Sequence, residues 1–316
     1  RELPITAERG KILDRNGVVL ADNITTTSLI VIPNQISNKE EVAKTLSDIL
    51  NTDYNDMLEH VSKKTSIERI HPEGRGLSSE IADKINSYHY HGVYLVKESK
   101  RYYPYGNLLA HVLGYVGIDN QGLSGIELKY DEYLTGTDGK IKYYSDAKGN
   151  KLALNEVYEE ATAGLDIMLT IDYRIQASLE RELDNIVSMF QPDNALALAM
   201  DPNTGEILGM SSRPAFDPNN YQDYDMETLS RNLPIWMTYE PGSTFKIITT
   251  AAAVEEGVVN LEKDTFYDSG SVTVSGAKIR CWKSGGHGSQ TFLQVFENSC
   301  NLGVNTATHI NFKKAL

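Results

Sequence analysis

The feature that most constrains the fold is a long amphipathic segment followed at once by two short apolar segments. Tyr173–Phe190 carries apolar residues at helical spacing and predicts one long helix. Residues 195–201 and 206–211 are apolar and flank the turn sequence PNTG, which predicts a β-hairpin. A helix that precedes an antiparallel hairpin favours an α+β fold, in which helices pack on an antiparallel sheet.

The residues before this segment predict a separate domain of short strands, turns and a few helices. Apolar segments around the Asn16-Gly17 turn predict a hairpin at 10–21, and the segment TTTSLIV at 25–31 predicts a strand. The other predicted elements are helices at 39–50, 54–64 and 78–85, short helices at 102–117 and 128–134, and a polar hairpin at 139–152. A strand at 167–171 opens a region of different character, so we predict two domains, 1–163 and 164–316.

Composition and charge exclude some classes of function. The chain has 316 residues, enough for two domains, and its net charge is −13, from 30 basic and 43 acidic residues. No basic stripe stands out, which argues against a nucleic-acid partner. The longest apolar segments, such as 195–200 and 247–254, are far too short to cross a bilayer, and no signal peptide is visible. The chain begins abruptly at Arg1, so we expect that an N-terminal segment has been left off.

A serine and a lysine lie three residues apart where a Pro-Gly break precedes an apolar helix. The pattern S-x-x-K occurs three times, at 145–148, 243–246 and 275–278, so two of these pairs are bystanders. The first lies in a polar turn and the third in a strand-like hairpin, where positions i and i+3 face opposite ways. Only Ser243 and Lys246 lie in a predicted helix, about one turn apart on the same face.

The local environment of this pair favours chemistry on the serine hydroxyl. Ser243 falls in the first helical turn, where free backbone N–H groups and the positive end of the helix dipole favour an oxyanion. The dipole and the apolar residues Phe245, Ile247 and Ile248 disfavour a charged Lys246. A neutral lysine can take the proton from the serine hydroxyl. The motif alone, however, favours a capping serine followed by a solvated lysine.

A second polar triplet reverses that preference. Ser299-Cys300-Asn301 supplies a hydroxyl that could relay a proton and an amide that could hold a substrate carbonyl. The triplet at 230–232 has the same pattern, but it precedes Ser243 and lies in a predicted loop. S-x-x-K followed by S-x-N resembles the paired signature of penicillin-binding proteins and serine β-lactamases, whose third motif is K-T-G.

The resemblance extends over nearly the whole chain. Class B penicillin-binding proteins are similar in three segments of the first half, at 9–17, 101–104 and 122–127, and in three segments ahead of Ser243, at 170–172, 201–208 and 231–233. A β-lactamase would lack the long first half. Within class B, the sporulation-specific type is similar in the segments RCWK, GGHG and NSCN, at 280–283, 285–288 and 298–301. The resemblance implies a non-catalytic, mainly β pedestal of the dimerisation type, followed by a transpeptidase domain.

This resemblance implies a D,D-transpeptidase of peptidoglycan synthesis, for the spore cortex or the septal wall. Ser243 is then the nucleophile that attacks the penultimate D-Ala carbonyl and is trapped by β-lactams, and Lys246 is the base for acylation. Ser299 carries the proton to the leaving amine, and Asn301 binds the amide backbone of the substrate. Two alternatives stay open: a D,D-carboxypeptidase, in which water resolves the acyl-enzyme, and a non-catalytic scaffold subunit of a wall-synthesis complex.

The resemblance also implies ligands, partners and a location. The expected ligands are peptidoglycan stem peptides, the lipid-linked precursor and β-lactams, and acyl transfer requires no cofactor. The expected partners are a membrane glycan polymerase of the SEDS family and a thiol–disulfide oxidoreductase. The chain is expected outside the cytoplasmic membrane, anchored to the cell or forespore membrane by an N-terminal helix absent from this chain.

The third family motif, K-T-G, is expected well after the S-x-N triplet. Lys283-Ser284-Gly285 spells an allowed variant, but it precedes Ser299 and is interpreted as a bystander. No K-T-G follows Asn301 in the sequence. We therefore expect that the C-terminal part carrying this motif is missing from this chain.

The two cysteines, Cys281 and Cys300, lie close in sequence to the proposed catalytic residues. In a chain outside the cytoplasm, two cysteines most often form a disulfide. Alternatively, the glycine-rich loop at 284–288 could fold His287 back, so that two thiolates and an imidazole provide three of four zinc ligands. Asp268, the nearest acid upstream of Cys281, is the candidate for the fourth. The two hypotheses exclude each other, because zinc needs both thiolates free.

Overall fold

The computed structural model describes residues 2–142, 157–274 and 276–304. It contains two compact units, Arg1–Met237 and Thr238–Leu316, and each is described by itself. These units are defined by packing, and the domain boundary at 163/164 stays a prediction. Within the residues that the structure describes, no helix combines the length and the apolar character needed to cross a membrane.

The first unit contains ten described strands and nine described α-helices. The strands are β1 (Glu2–Ile5), β2 (Ile12–Leu13), β3 (Val19–Val31), β4 (Glu68–Arg69), β5 (Val93–Tyr102), β6 (Gly139–Lys142), β7 (Val157–Glu159), β8 (Ile167–Met168), β9 (Ala195–Met200) and β10 (Ile207–Arg213). The helices are α1 (Lys39–Leu50), α2 (Tyr54–Ser62), α3 (Ser79–Ser87), α4 (Ala110–Leu113), α5 (Gly125–Lys129), α6 (Asp131–Leu134), α7 (Tyr173–Phe190), α8 (Met226–Ser230) and α9 (Leu233–Trp236). The second unit adds α10 (Phe245–Glu255), α11 (Phe292–Glu297) and four strands, β11 (Thr265–Asp268), β12 (Ser271–Val274), β13 (Ala277–Arg280) and β14 (Gly288–Thr291).

The central sheet of the first unit has the order β4-β3-β2-β8, and β5 pairs with β3. β2 and β3 are antiparallel with Ile12 opposite Ala21, which confirms the hairpin predicted at 10–21. β3 is much longer than the strand predicted at 25–31, because its polar first half pairs with β5 from Asp22 onward. The strand predicted at 167–171 is only the two-residue β8, which runs parallel to β2.

The three helices α1, α2 and α3 cover this sheet at one end. Each begins at the polar cap that the sequence offers, namely Asn38, Asp53 and Ser78. Their buried residues pack on Leu29 and Val31 of β3. This helical layer confirms the helix predictions at 39–50, 54–64 and 78–85 to within two residues at their ends.

Two predicted segments of the first unit differ from the structure. Within 102–117 the only described α-helix is α4, which has four residues. The first residue of the predicted helix, Tyr102, belongs to β5. In the segment predicted as a hairpin at 139–152, β6 pairs with β1 and with β7. The described partner strand therefore begins only at residue 157, and the predicted turn at 148–150 lies outside the described residues.

The helix predicted at 173–190 and the hairpin predicted at 195–211 are both present. Asp172 caps α7 by accepting hydrogen bonds from the backbone N–H groups of Arg174 and Ile175. β9 and β10 are antiparallel and α7 packs against them, which confirms the prediction of an α+β fold. Burial alternates along β9, so one of its faces is partly buried and the other is exposed.

Three of the sequence segments that resemble class B penicillin-binding proteins meet in one buried polar cluster. Glu127 is fully buried and accepts hydrogen bonds from Arg9 Nε at 2.6 Å and Arg101 Nε at 2.7 Å. The hydroxyl of Tyr103 lies 3.2 Å from the same carboxylate. Arg9 also pairs with Asp131 at 2.7 Å. A buried cluster of opposite charges with these contacts holds distant segments of the chain together and is structural.

The second unit places short antiparallel pairs around its own apolar core. β11 pairs with β14, and β12 pairs with β13. The core includes Ala253 of α10, Phe292 and Val295 of α11, and Cys300. The predicted helix at Ser243 is a 3₁₀ turn, Gly242–Thr244, that continues directly into α10.

Candidate active site

The ammonium group of Lys246 is the centre of a polar cluster in the second unit. Lys246 Nζ lies 3.3 Å from Ser243 Oγ and 3.0 Å from Ser299 Oγ. It also donates to the backbone carbonyl of Ser299 at 2.7 Å and to Asn301 Oδ1 at 2.6 Å. The structure therefore brings together all four residues that the sequence analysis selected as catalytic.

Local geometry explains why Ser243 and Lys246 meet. Gly242 has a φ of +58°, a conformation that side chains disfavour, and it turns the chain from the preceding loop into the helix. Thr244 Oγ1 donates to the carbonyl of Pro241 at 2.6 Å and fixes this turn. Positions i and i+3 then share one face, and the Ser243 side chain remains exposed to solvent.

The Ser299–Asn301 segment follows the end of α11. This helix begins with a reciprocal capping box between Thr291 and Gln294. At the other end Ser299 adopts a φ of +49°, in the left-handed region that non-glycine residues seldom occupy. Ser299 and Asn301 contact Lys246, whereas the intervening Cys300 is fully buried. The chain reversal thus separates one triplet into a reactive side and an interior side.

The environment of Lys246 lowers its pKa. The cause is burial, which removes water from the charged form and outweighs the opposing effect of the two nearby cysteines. The sequence analysis also attributed this effect to the apolar residues Phe245, Ile247 and Ile248, and that part is wrong. Each of them is more than half exposed, and they do not enclose the ammonium group. Within the described residues, no carboxylate forms an ion pair with Lys246.

A second cluster of polar side chains includes the buried Cys300. One ligand atom from each of Asp268, Cys281, His287 and Cys300 lies within 4.8 Å of the others. His287 Nδ1 is 2.9 Å from Asp268 Oδ2 and 3.2 Å from Cys281 Sγ. Cys300 Sγ is 3.4 Å from the same Asp268 oxygen. The structure brings together the four residues selected from sequence as metal ligands, and both cysteines have free thiols.

The glycine-rich loop folds His287 back onto this cluster. At Gly286, φ is +76° and an added Cβ would lie 2.3 Å from the carbonyl oxygen of Asp268. Only glycine fits so close to that backbone. The backbone N–H of His287 then donates to Asp268 Oδ2 at 2.9 Å.

The electrostatics of this cluster favour a carboxylate anion. Burial by itself raises the pKa of Asp268, but hydrogen bonds from Cys281, the Gly270 backbone and His287 outweigh it, and the pKa lies well below its ordinary value. Burial, followed by the hydrogen bond to Asp268, raises the pKa of the Cys281 thiol. The carboxylate is therefore charged, and the thiol keeps its proton unless a cation replaces that proton.

Two contacts that the sequence analysis missed join this cluster to the Ser299–Asn301 segment. The indole Nε1 of Trp282 donates to the carbonyl of Asn298 at 2.9 Å. Asn301 Nδ2 donates to the carbonyl of Arg280 at 3.0 Å. Residues on both sides of Cys281 thus hold Asn298, which precedes the segment, and Asn301, its last residue. In the sequence, Trp282 is adjacent to Cys281, but this position does not indicate a partner sixteen residues away.

The alternative motifs lie in different settings. Residues 145–148 and Ser275 are outside the described residues. Ser230 ends α8 in the first unit, and the adjacent Arg231 stacks on the Trp236 ring at 4.5 Å. Residues 283–285 lie in the loop between β13 and β14.

Comparison with known proteins identifies the family. The penicillin-binding protein dimerisation domain matches residues 4–169, and the penicillin-binding protein transpeptidase domain matches residues 195–313. The chain therefore belongs to the penicillin-binding proteins in which a dimerisation domain is followed by a transpeptidase domain. This result confirms the family resemblance seen in the sequence.

Particular relatives narrow the similarity further. Stage V sporulation protein D of Bacillus subtilis (strain 168) is 53% identical over 96% of this chain and 47% of its own length. Peptidoglycan D,D-transpeptidase FtsI of Escherichia coli (strain K12) is 29% identical over 95% of this chain and 51% of its own length. The chain thus spans about half the length of the curated relatives it matches.

Solved structures support the fold. The chain matches penicillin-binding protein 2X from Streptococcus thermophilus with a TM-score of 0.68 and 25% identity, over 100% of this chain and 51% of that one. It matches a peptidoglycan synthetase from Bifidobacterium adolescentis with a TM-score of 0.67 and 22% identity, over 99% of this chain and 61% of that one.

Proposed function

We propose that this chain belongs to a peptidoglycan D,D-transpeptidase of the spore cortex or septal wall, with Ser243 as its nucleophile. One observation carries the proposal: a single ammonium group, Lys246 Nζ, lies within 3.3 Å of oxygen atoms of Ser243, Ser299 and Asn301. A nucleophile whose base is oriented by further polar groups is the general arrangement of serine acyl transfer. The names of the relatives, which include sporulation and D,D-transpeptidase proteins, point to the same substrate class.

In the proposed acylation step, the neutral amine of Lys246 removes the proton from Ser243 Oγ, which attacks the carbonyl carbon of the penultimate D-Ala. The lowered pKa of Lys246 raises the fraction of neutral amine at physiological pH. Ser299 Oγ donates its proton to the nitrogen of the terminal D-Ala as the C–N bond breaks. It regains a proton from the protonated Lys246, whose amine becomes neutral again. Asn301, whose Oδ1 contacts the same ammonium group as Ser243 Oγ, is assigned to hold the amide backbone of the substrate.

In the second step, an amine of a neighbouring stem peptide attacks the Ser243 ester. The new amide C–N bond forms, the ester C–O bond breaks, and Ser243 Oγ regains a proton from the attacking amine through Lys246. The proposed activity is that of the whole protein, because the chain spans about half the length of its curated relatives.

The decisive experiment is labelling of the full-length protein with a fluorescent penicillin, followed by mass mapping of the adduct. We expect label on Ser243, no label on Ser243→Ala, and similar thermal unfolding of both proteins, because the Ser243 side chain is exposed and its hydroxyl makes only a long contact of 3.3 Å with Lys246 Nζ among the described residues. Substantial labelling of Ser243→Ala would show that the wrong serine was chosen. A folded wild-type protein without label would support the scaffold alternative. Incubation of a labelling-competent enzyme with stem pentapeptide and an acceptor amine then separates transfer from hydrolysis.

We also propose that Asp268, Cys281, His287 and Cys300 hold a structural zinc ion. Tetrahedral zinc with these donors places neighbouring ligand atoms about 3.3–3.8 Å apart, as follows from its bond lengths. Three of the six pairs of ligand atoms are 2.9–3.4 Å apart and need a few tenths of an ångström of expansion. All four atoms lie within 4.8 Å of one another, so the wider pairs need contraction of at most about 1 Å. The donor set fits zinc because it combines two thiols, one imidazole and a charged carboxylate. Bound zinc would brace the Ser299–Asn301 segment through Cys300.

Metal analysis of the reduced protein, combined with thiol counting, tests this proposal. One zinc per chain, lost together with exposure of both thiols on chelation, is the expected result. Zero free thiols in active protein would establish the disulfide instead, and two free thiols without metal would refute the zinc site. The disulfide alternative would give the proposed thiol–disulfide oxidoreductase partner its substrate.

The remaining partners and the location are proposed from family membership. We infer that the ligands are stem peptides, the lipid-linked precursor and β-lactams, and that a SEDS glycan polymerase supplies the glycan strands. The relative named as a peptidoglycan D,D-transpeptidase supports a site of action outside the cytoplasmic membrane. An N-terminal membrane helix of the whole protein is the proposed anchor, and fractionation of the full-length protein with and without that segment tests it.

A further inference from the structure

A cleft in the first unit has no part in the proposed chemistry. Its volume is about 320 Å³, within the range of sites for small ligands. The cleft runs beside the end of β5, a strand that pairs with β3 on one edge only among the described strands. Its walls come from Thr26 and from four segments of the same unit, at 72–76, 98–103, 116–120 and 218–222.

The side chains of the cleft carry an excess of positive charge, although the chain as a whole has a net charge of −13. Arg75, Lys100 and Arg101 line it, and among the described residues its one carboxylate is Glu98. That carboxylate already accepts three hydrogen bonds, from Ser28, Arg69 and Arg75. Arg75 also pairs with the exposed Asp119 at 2.6 Å, whereas Lys100 has no ion pair within the described residues.

Two buried donors of the cleft lining lack a partner among the described residues. Arg101 is only 3% exposed, and it uses Nε for Glu127 and Nη1 for the carbonyl of Gly10. Its Nη2 has no hydrogen-bond partner, and neither has the buried hydroxyl of Ser99. Unsatisfied buried donors are costly and scarce in folded proteins, so two of them beside one cleft indicate an acceptor that the chain does not supply.

We propose that this cleft binds a small ligand bearing an oxyanion, a carboxylate or a phosphate, through Lys100, Arg101 and Ser99. An oxyanion offers several lone pairs and matches both a guanidinium fork and an ammonium group. The rest of the lining suits a polar ligand, because it contains the amides of Asn120, Asn219 and Gln222 and the ring of Tyr221. The ligand would bind in a unit that does not contain Ser243, and the proposal does not depend on the proposed catalytic role.

Calorimetric titration of the full-length protein tests the site with two probes, inorganic diphosphate and N-acetylmuramic acid. We expect at least one to bind with one-to-one stoichiometry and to weaken as salt is raised, and the stronger probe identifies the phosphate or the carboxylate source. Lys100→Ala should weaken binding about tenfold, since it removes one charge-assisted contact. Ser99→Ala should also weaken binding without loss of thermal stability, because the hydroxyl has no partner to lose.

The matched control is Lys97→Ala, since Lys97 lies exposed on the same strand but does not line the cleft. It should leave both titrations unchanged. Absence of binding of both probes at millimolar concentration would overturn the proposal. So would binding that Lys100→Ala and Ser99→Ala leave at the wild-type level. Penicillin labelling of all three variants should equal that of the wild type, so failure of this site is distinguishable from failure of the proposed transpeptidase activity.

Discussion

The Glu127 cluster of the first unit and the Lys246 cluster of the second both hold a charged group among several polar neighbours, but they use that charge differently. Glu127 is fully buried between two guanidinium groups, Arg9 and Arg101. Lys246 is half-buried, and the oxygen atoms around it belong to neutral groups of Ser243, Ser299 and Asn301. Opposite charges pair with the first group, whereas burial lowers the pKa of the second.

The two clusters also differ in how readily their groups exchange protons. The hydroxyl of Tyr103, beside Glu127, has a pKa well above its ordinary value because of burial and then because of the neighbouring carboxylate. It therefore keeps its proton at any physiological pH. The lowered pKa of Lys246, next to the exposed Ser243, makes proton exchange accessible. Substitutions in the two clusters should consequently affect different measurements, stability in one and acylation in the other.

The largest expected effect is on acylation by Lys246→Met. Loss of the base should lower the rate constant of penicillin acylation about 10³–10⁴-fold, the upper range for general base catalysis. The unfolding free energy should change by less than about 1 kcal/mol, because the partners of the ammonium group are neutral and near solvent. The matched control is Lys278→Met in the third S-x-x-K pair, which should acylate at the wild-type rate. Near-normal acylation of Lys246→Met would remove the lysine from the mechanism.

Glu127→Gln should give the converse result. It keeps the shape of the side chain but leaves the buried Arg101 without its opposite charge, at a cost of about 3–5 kcal/mol in the unfolding free energy. Glu206→Gln is the control, because the Arg15–Glu206 pair is partly exposed and worth at most about 1 kcal/mol. Denaturant unfolding measures both variants. A loss below about 1 kcal/mol in Glu127→Gln would mean that the cluster is not the structural tie we infer.

Features of the fold and of the site that depend on local signals could be predicted from the sequence. The bounds of α1 and α7 follow from capping residues and amphipathic spacing, both of which are local signals. Ser243 and Lys246 were predicted as a pair for the same reason, since one helical turn determines their separation. The first half of β3 was missed because Asp22 and Asn23 disfavour strands, and only pairing with β5 stabilises them there.

Contacts between distant segments could not be predicted in the same way. The meeting of Lys246 with Asn301 was expected only through family resemblance, because no local rule relates residues 55 positions apart. Asp268 was chosen as the nearest upstream acid, and the pairing of β11 with β14 is what places it beside His287. Nothing in the sequence indicated the Trp282–Asn298 contact, which depends on how one loop folds over another.

A moderate effect is expected from Cys281→Ser, which tests whether the metal-ligand cluster supports the active site. The variant should lose zinc, unfold at a lower temperature and acylate about tenfold more slowly, in line with the usual loss when a supporting group of a site is removed. Chelation of the wild type should reproduce all three changes. Ser284→Ala, in the same loop but outside the cluster, should show none of them. Loss of zinc with unchanged acylation would separate the cluster from Ser299.

The smallest expected effect is a change in acid stability at Asp14. This buried carboxylate accepts backbone N–H bonds from Asn16, Val18 and Tyr173. Burial raises its pKa, but the hydrogen bonds outweigh burial, and the pKa lies below the ordinary value of 3.8. A depressed pKa stabilises the fold above the ordinary value, and that stability is lost as the pH falls through the folded-state pKa. Asp14→Asn should therefore make the unfolding free energy less dependent on pH below 3.8, as measured by denaturant unfolding along a pH series.

Asp138 is the control, since its carboxylate accepts one backbone N–H bond, from Ala7, and Asp138→Asn should leave the slope nearer to that of the wild type. Equal slopes for Asp14→Asn and the wild type would mean that the Asp14 carboxylate contributes nothing to acid stability.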